Sequence, residues 1–236
     1  MSKRKKRFLG ILGIIVVVAL AYVFMDGVPG SGGDADWIVK DGDVAIDDYG
    51  WNLILVNRNH YMPEDYTVEL TELSNGEQVD SRIYPDLQDM FDAARAEGLH
   101  LFVADGYRTW ETQQGLLDEK IEAYKNEGYS DQEAEEKAKQ WVALPGTSEH
   151  QLGLAVDINA DTSQSTGDEV YAWLARNGYK FGFINRYPED KTEITGTIYE
   201  PWHYRYVGKE AAEKIYSQGI CLEEYIENLQ DSGTDD

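Results

Sequence analysis

"TSEHQLGLAVDIN", residues 147–159, sets a histidine and an aspartate seven positions apart around an apolar alternation. Read as a strand, 153–159 sends Leu154, Val156 and Ile158 to one face, toward a core. Gly153, Ala155, Asp157 and Asn159 go to the other face, so Asp157 looks into a cleft walled by small residues. A carboxylate there needs a cation, donors or water. His150 sits just before the strand, in a loop turned by Pro145 and Gly146. A fully extended chain would hold it more than about 20 Å from Asp157. The two can meet only if the chain curls back, which Gly153 permits.

The rest of the chain groups around this strand. "YTVELTEL", 66–73, alternates with period two, "SNG" at 74–76 reads as a turn, and "QVDSRIY", 78–84, supplies a partner strand. "NLILVNRNHYM", 52–62, holds a short apolar run that suits a buried strand. "PDLQDMFDAARAEG", 85–98, opens on Pro, ends on Gly and lines up Leu87, Met90, Phe91 and Ala94 on one helical face. "LHLFVADGYR", 99–108, reads as a strand entering a turn. Helices are expected over 109–128, where Thr109 opens the N-cap region, and over 130–143, where Ser130 and Glu133 form a capping box. Further helices are expected over 168–178 and 208–219, and strand-like stretches over 179–188 and 196–207. Helices and strands mix without a βαβ period, so the fold class is α+β.

The first residues differ in kind. Residues 1–7 carry five basic side chains, and "FLGILGIIVVVALAYVFM", 8–25, has no charge. Eighteen residues of helix span about 27 Å, close to a bilayer's hydrocarbon core of about 30 Å. A transmembrane anchor is expected, with the basic end cytoplasmic and the remainder outside. A cleaved signal peptide is the competing reading, with Ala19-Leu20-Ala21 as its cleavage triplet, but Tyr22–Met25 carry the apolar run past it. No cysteine follows the run, which excludes a lipoprotein at this point. Residues 26–36 read as a flexible linker, 37–229 as one domain and 230–236 as a disordered tail.

Cys221 is the only cysteine, so an intrachain disulfide is impossible; it reads as a small apolar residue ahead of a helical pattern. The net charge is −23, and residues 1–26 carry five bases and one acid, which leaves about −27 on the rest. Such a surface repels nucleic acid and anionic lipid.

The chain has four histidines, His60, His100, His150 and His203, and the last stands in "YEPWHYRYV", 199–207, three positions after Glu200. On a flat strand Glu200 and His203 would face opposite ways. Pro201 argues against a regular strand, so a helical turn or a bulge would bring them to one side. His150, Asp157, Glu200 and His203 then offer two imidazoles, a metal-binding carboxylate and one carboxylate more. Two histidines and a carboxylate with water in the fourth position make a catalytic zinc arrangement. Ordinary hydrogen bonds to both histidines are the plainer alternative, and spacing does not separate the two.

The flanking residues do. "SEHQLGLAVDI" and "EPWHYRYVG" resemble the S-x-H-x-x-G-x-A-x-D and E-x-W-H signatures of the VanY-type zinc carboxypeptidases, and "DGYRTWETQQ", 105–114, is similar to that family's substrate-side arginine segment. The resemblance covers roughly residues 50–220. It implies the α+β fold of hedgehog-type and D,D-peptidase domains, a Zn²⁺ cofactor, and peptidoglycan stem peptides as substrate. It implies His150, Asp157 and His203 as zinc ligands and Glu200 as the general base, with Arg108 as the cation facing the oxyanion. Arg108 could instead serve a structural ion pair. Ser148 and Gln113 match positions that face the substrate, and Tyr187 is expected to line the pocket; Ser148 could also simply cap its loop. Trp202 is expected to pack beneath the metal, and His60 and His100 to be structural. The implied activity is removal of the terminal D-alanine from D-Ala-D-Ala ends. An L,D-carboxypeptidase acting on tetrapeptides is the alternative within the class, and a zinc-containing wall-binding module the alternative outside it.

Overall fold

The structure, a computed structural model, describes residues 43–44 and 49–233. The expected anchor and linker lie outside the described residues. Among those described, no helix is long and apolar enough to cross a membrane.

In chain order, a short parallel pair joins β1 (Asp43–Val44) to β2 (His60–Tyr61), and a hairpin joins β3 (Leu70–Glu72) to β4 (Gln78–Asp80). There follow α1 (Tyr84–Ala96), β5 (Leu101–Asp105), α2 (Trp110–Asn126) and α3 (Asp131–Ala138), then a 3-10 turn over Glu149–Leu152. β6 (Ala155–Ala160), α4 (Gly167–Asn177), β7 (Phe183–Asn185), the single turn α5 (Thr192–Thr195), β8 (His203–Tyr206), α6 (Lys209–Gln218) and α7 (Leu222–Gly233) complete the domain.

The central sheet is antiparallel throughout, in the order β5-β6-β8-β7. Its register sets Asp105 opposite Asp157 and Asp157 opposite His203, so three polar residues stand in one row across three strands. Directly opposed residues project from the same face. A register shift between Val103 and Asp105 re-aims Asp105 at the end of its strand.

The other face carries the core. Leu154, Val156 and Ile158 are fully buried with Leu87, Met90 and Ala94 of α1 and Val170, Trp173 and Leu174 of α4. Each fully buried aliphatic side chain contributes about 1.5–3 kcal/mol. A second cluster joins Ile184 and Val207 to α6 and α7.

The apolar run at 52–62 is buried but is not the expected continuous strand: Leu55 and Asn57 make single β-bridges, Asn57 with His60, and only His60–Tyr61 form a strand. The segment runs between the two clusters, with Ile54 and Val56 in one and Leu53 and Leu55 in the other. The buried Arg205 guanidinium replaces a sheet neighbour by donating to the Asn52 and Ile54 carbonyls at 3.1 and 2.9 Å. Of the stretch 196–207 only 203–206 is strand. The expected tail is helical through Gly233, because Leu222, Tyr225 and Ile226 bury one face of α7.

Candidate active site

Three parts of the chain deliver the four polar residues. The loop expected around His150 is a 3-10 turn that ends at Gly153, whose φ is +72°. A Cβ at Gly153 would also press on the Asp80 backbone nitrogen at 3.0 Å. Glycine alone suits this reversal, which folds His150 back over β6 as the sequence suggested. Glu200 and His203 reach one side through a tight turn, in which the His203 N–H donates to the Glu200 carbonyl at 3.4 Å.

His150 Nδ1 donates to the Gly106 carbonyl at 2.7 Å, which fixes the tautomer and leaves Nε2 as a lone-pair donor. That Nε2 lies 3.5 Å from Asp157 Oδ1, and His203 Nδ1 lies 3.0 Å from the same oxygen. One ligand atom from each of the three residues falls within 4.8 Å of the others. Tetrahedral zinc with bonds of about 2.1 Å needs ligand atoms about 3.4 Å apart. Asp157 Oδ1 is buried and makes no hydrogen bond, although two nitrogens surround it. The residues therefore fit a zinc ion. Burial works to lower the His203 pKa, yet the neighbouring carboxylates of Asp157, Glu149 and Glu200 lift it to about 9.

Glu200 Oε2 lies 3.6 Å from His203 Nδ1, and its carboxylate makes no hydrogen bond among the described residues. Burial raises it to about 7, with Asp157 adding to the rise and His203 and Arg108 opposing it. It is a carboxylate placed to take a proton near neutrality.

The remaining expected residues divide. Arg108 lines the cavity with Nη2 3.5 Å from Asp157 Oδ2, but Asp105 also holds it at 3.0 and 3.1 Å. It is thus both an ion-pair partner and a cation at the centre. Ser148 and Tyr187 line the cavity, the Tyr187 ring 4.9 Å from that of His203; Ser148 makes no cap hydrogen bond. Trp202, expected beneath the metal, lines the cavity too. Gln113 stands behind Arg108. It is fully buried, its Oε1 accepts from Arg108 at 3.1 Å and its Nε2 donates to the Ala143 carbonyl at 2.7 Å. It helps to orient Arg108.

Sequence reasoning missed Glu149. This carboxylate is fully buried, held by Arg186 and Arg205 at 2.8 Å each, and its Oε2 lies 3.8 Å from His203 Nε2. Burial would raise its pKa, but the two guanidiniums outweigh that and hold it well below the carboxylate range. It lies behind His203 as a carboxylate that orients a metal-binding imidazole does. Its place next to His150 was the only available signal.

The model of the D-alanyl-D-alanine carboxypeptidase family VanY matches residues 76–209, a span that contains every residue just described. The chain belongs to the VanY family. A D-alanyl-D-alanine carboxypeptidase from Enterococcus faecalis is 64% identical over 180 residues, 76% of this chain and 67% of that protein. Among solved structures, a variant of the vancomycin-resistance D,D-pentapeptidase VanY in complex with Zn(II) is 65% identical, with a TM-score of 0.73 over 75% of this chain and 99% of that one. VanYB in complex with D-alanine-D-alanine is also 65% identical, with a TM-score of 0.74 over 75% and 98% of the two chains. Membership in the VanY family and the His150–Asp157–His203 geometry agree on a single α+β zinc-peptidase domain and on zinc as the cofactor.

Proposed function

We propose that this chain hydrolyses the terminal D-alanine from peptidoglycan stem peptides that end in D-alanyl-D-alanine. The observation that carries this is a carboxylate without a hydrogen bond, Glu200, 3.6 Å from a ligand atom of a three-residue zinc set. The relatives that act on or bind D-alanyl-D-alanine support the substrate.

His150 Nε2, Asp157 and His203 Nδ1 would hold Zn²⁺, which polarises the scissile carbonyl and brings the pKa of water toward about 7. Glu200 accepts the proton of the attacking water and returns it to the amine of the departing D-alanine. Arg108, kept in place by Asp105 and Gln113, stabilises charge on the carbonyl oxygen or the terminal carboxylate. Ser148 and Tyr187 hold the peptide in the cavity. Glu200→Gln should keep its zinc, measured by metal content, and lose 10²- to 10⁴-fold or so in D-alanine release. Full activity in that variant would sink the assignment.

The apolar run at 8–25 and its basic flank support a membrane anchor that leaves the catalytic domain outside the cell, close to the wall. Alkaline washing of membranes should leave the full chain in the pellet, and its release would refute the anchor.

A further inference from the structure

The cavity over the metal centre, about 760 Å³, is far larger than a D-alanyl-D-alanine end requires. Much of its wall comes from the hairpin of α2 and α3, including Leu116, Lys120, Ala123 and Trp141. Leu116, Lys120 and Ala123 climb one face of α2 from Gln113, which touches Arg108 at the centre, and Trp141 follows α3. Lys120 is seven residues beyond Gln113, about 10 Å along the helix axis. An extended peptide covers about 3.3–3.6 Å per residue, so the limb accommodates about three residues. A carboxypeptidase leaves one residue beyond the scissile bond. A limb of three residues therefore belongs to the amino-terminal side of the substrate.

Lys120 stands out there. Of the cations lining the cavity, Arg108 is held by Asp105 and Lys139 by Glu135, while Arg58, packed against Gly196, shares with Lys120 the lack of an ion pair among the described residues. The half-buried Lys120 has its Nζ 4.9 Å from the Trp141 ring centre and 5.4 Å from that of Tyr124, and it forms no ion pair among the described residues. Glu119 and Glu136 line the same limb, yet neither pairs with it. In a chain of net charge −23, a cation held on aromatic faces beside two acids and still unpaired is poised for an incoming anion.

We propose that the α2–α3 limb binds the stem peptide upstream of its D-alanyl-D-alanine end, and that Lys120 pairs there with a carboxylate of the substrate. The γ-linked D-glutamate, two residues upstream of that end, carries such a free carboxylate at the matching distance. This rests on the carboxypeptidase reading above.

The test uses the full zinc-loaded chain and three synthetic substrates. Two are pentapeptides that differ only in γ-D-glutamate against its amide, γ-D-isoglutamine; the third is an acylated tripeptide without that residue. The wild type should prefer the carboxylate peptide over the amide by about three- to tenfold in kcat/KM, less so in high salt. Lys120→Gln should bring that ratio to about one without slowing the tripeptide, and Lys120→Arg should retain it. A wild type indifferent to the amide, or a preference that survives Lys120→Gln, overturns the inference while tripeptide hydrolysis leaves the parent reading intact. Hydrolysis of none of the three overturns both.

Discussion

Glu149 shows how one side chain ties a metal ligand to the core. Its carboxylate has Arg186 and Arg205 on one side and the His203 imidazole on the other. Glu149→Gln keeps the shape and removes the charge, and should weaken zinc binding about 10- to 100-fold in a chelator competition. An unchanged affinity would leave Glu149 a purely structural anion. Cys221 supplies the contrasting case. Burial pushes its thiol up to about 12, with only 2% of the residue exposed. It should resist a thiol reagent at pH 8 in the folded protein and react on unfolding; prompt native labelling would contradict this burial.

At the scale of elements, α7 is fastened to the site by Glu223, which accepts from Arg186 at 2.6 and 2.8 Å and from Asn57 at 3.0 Å. Burial works to raise the Glu223 pKa, but Arg186 outweighs it and the folded value lies below the usual 4.5. As the pH falls, the unfolded chain takes up this proton first. The pair's stabilisation is complete above about pH 4.5 and is lost as the pH drops from there through the folded value. Glu223→Gln should cost about 3 kcal/mol at neutral pH and flatten this part of the acid unfolding curve. Unfolding curves of equal slope below pH 4.5 would show that the pair contributes nothing. Elements set by local pattern were legible in the sequence. The face Leu87, Met90, Phe91 and Ala94 gave α1, and Ser130 with Glu133 gave the start of α3. The metal set was legible because His150 and Asp157 flank one reversal and Glu200 and His203 one turn. What stayed hidden depends on distant partners. The carbonyls of Asn52 and Ile54 in the buried run are met by Arg205, some 150 residues away, and Glu149 meets its arginines 37 and 56 positions on. No periodicity records such pairs. The hydrogen bonds of Gln113 to Arg108 and to the Ala143 carbonyl, 30 positions on, are of the same kind.

Over the whole molecule, the zinc ligands come from the turn before β6, from β6 itself and from β8, so a bound ion joins segments more than 50 residues apart in sequence. Zinc binds the folded state preferentially, and at a hundredfold excess over Kd it should add about 2.7 kcal/mol. Chelation should lower the melting temperature by several degrees and abolish activity, and zinc should restore both; a Tm indifferent to chelator would mean that the three ligands do not share one ion. The acidic surface, near −27 beyond the first 26 residues, leaves the cations of the cavity as local exceptions in a field that elsewhere repels anions. The most direct test of the account is mass spectrometry of products from the zinc-loaded chain, given a muropeptide pentapeptide and a tetrapeptide in separate reactions. Loss of one D-alanine from the pentapeptide, with the tetrapeptide untouched, is the predicted result. Cleavage of the tetrapeptide alone, or of neither while zinc is bound, would contradict it.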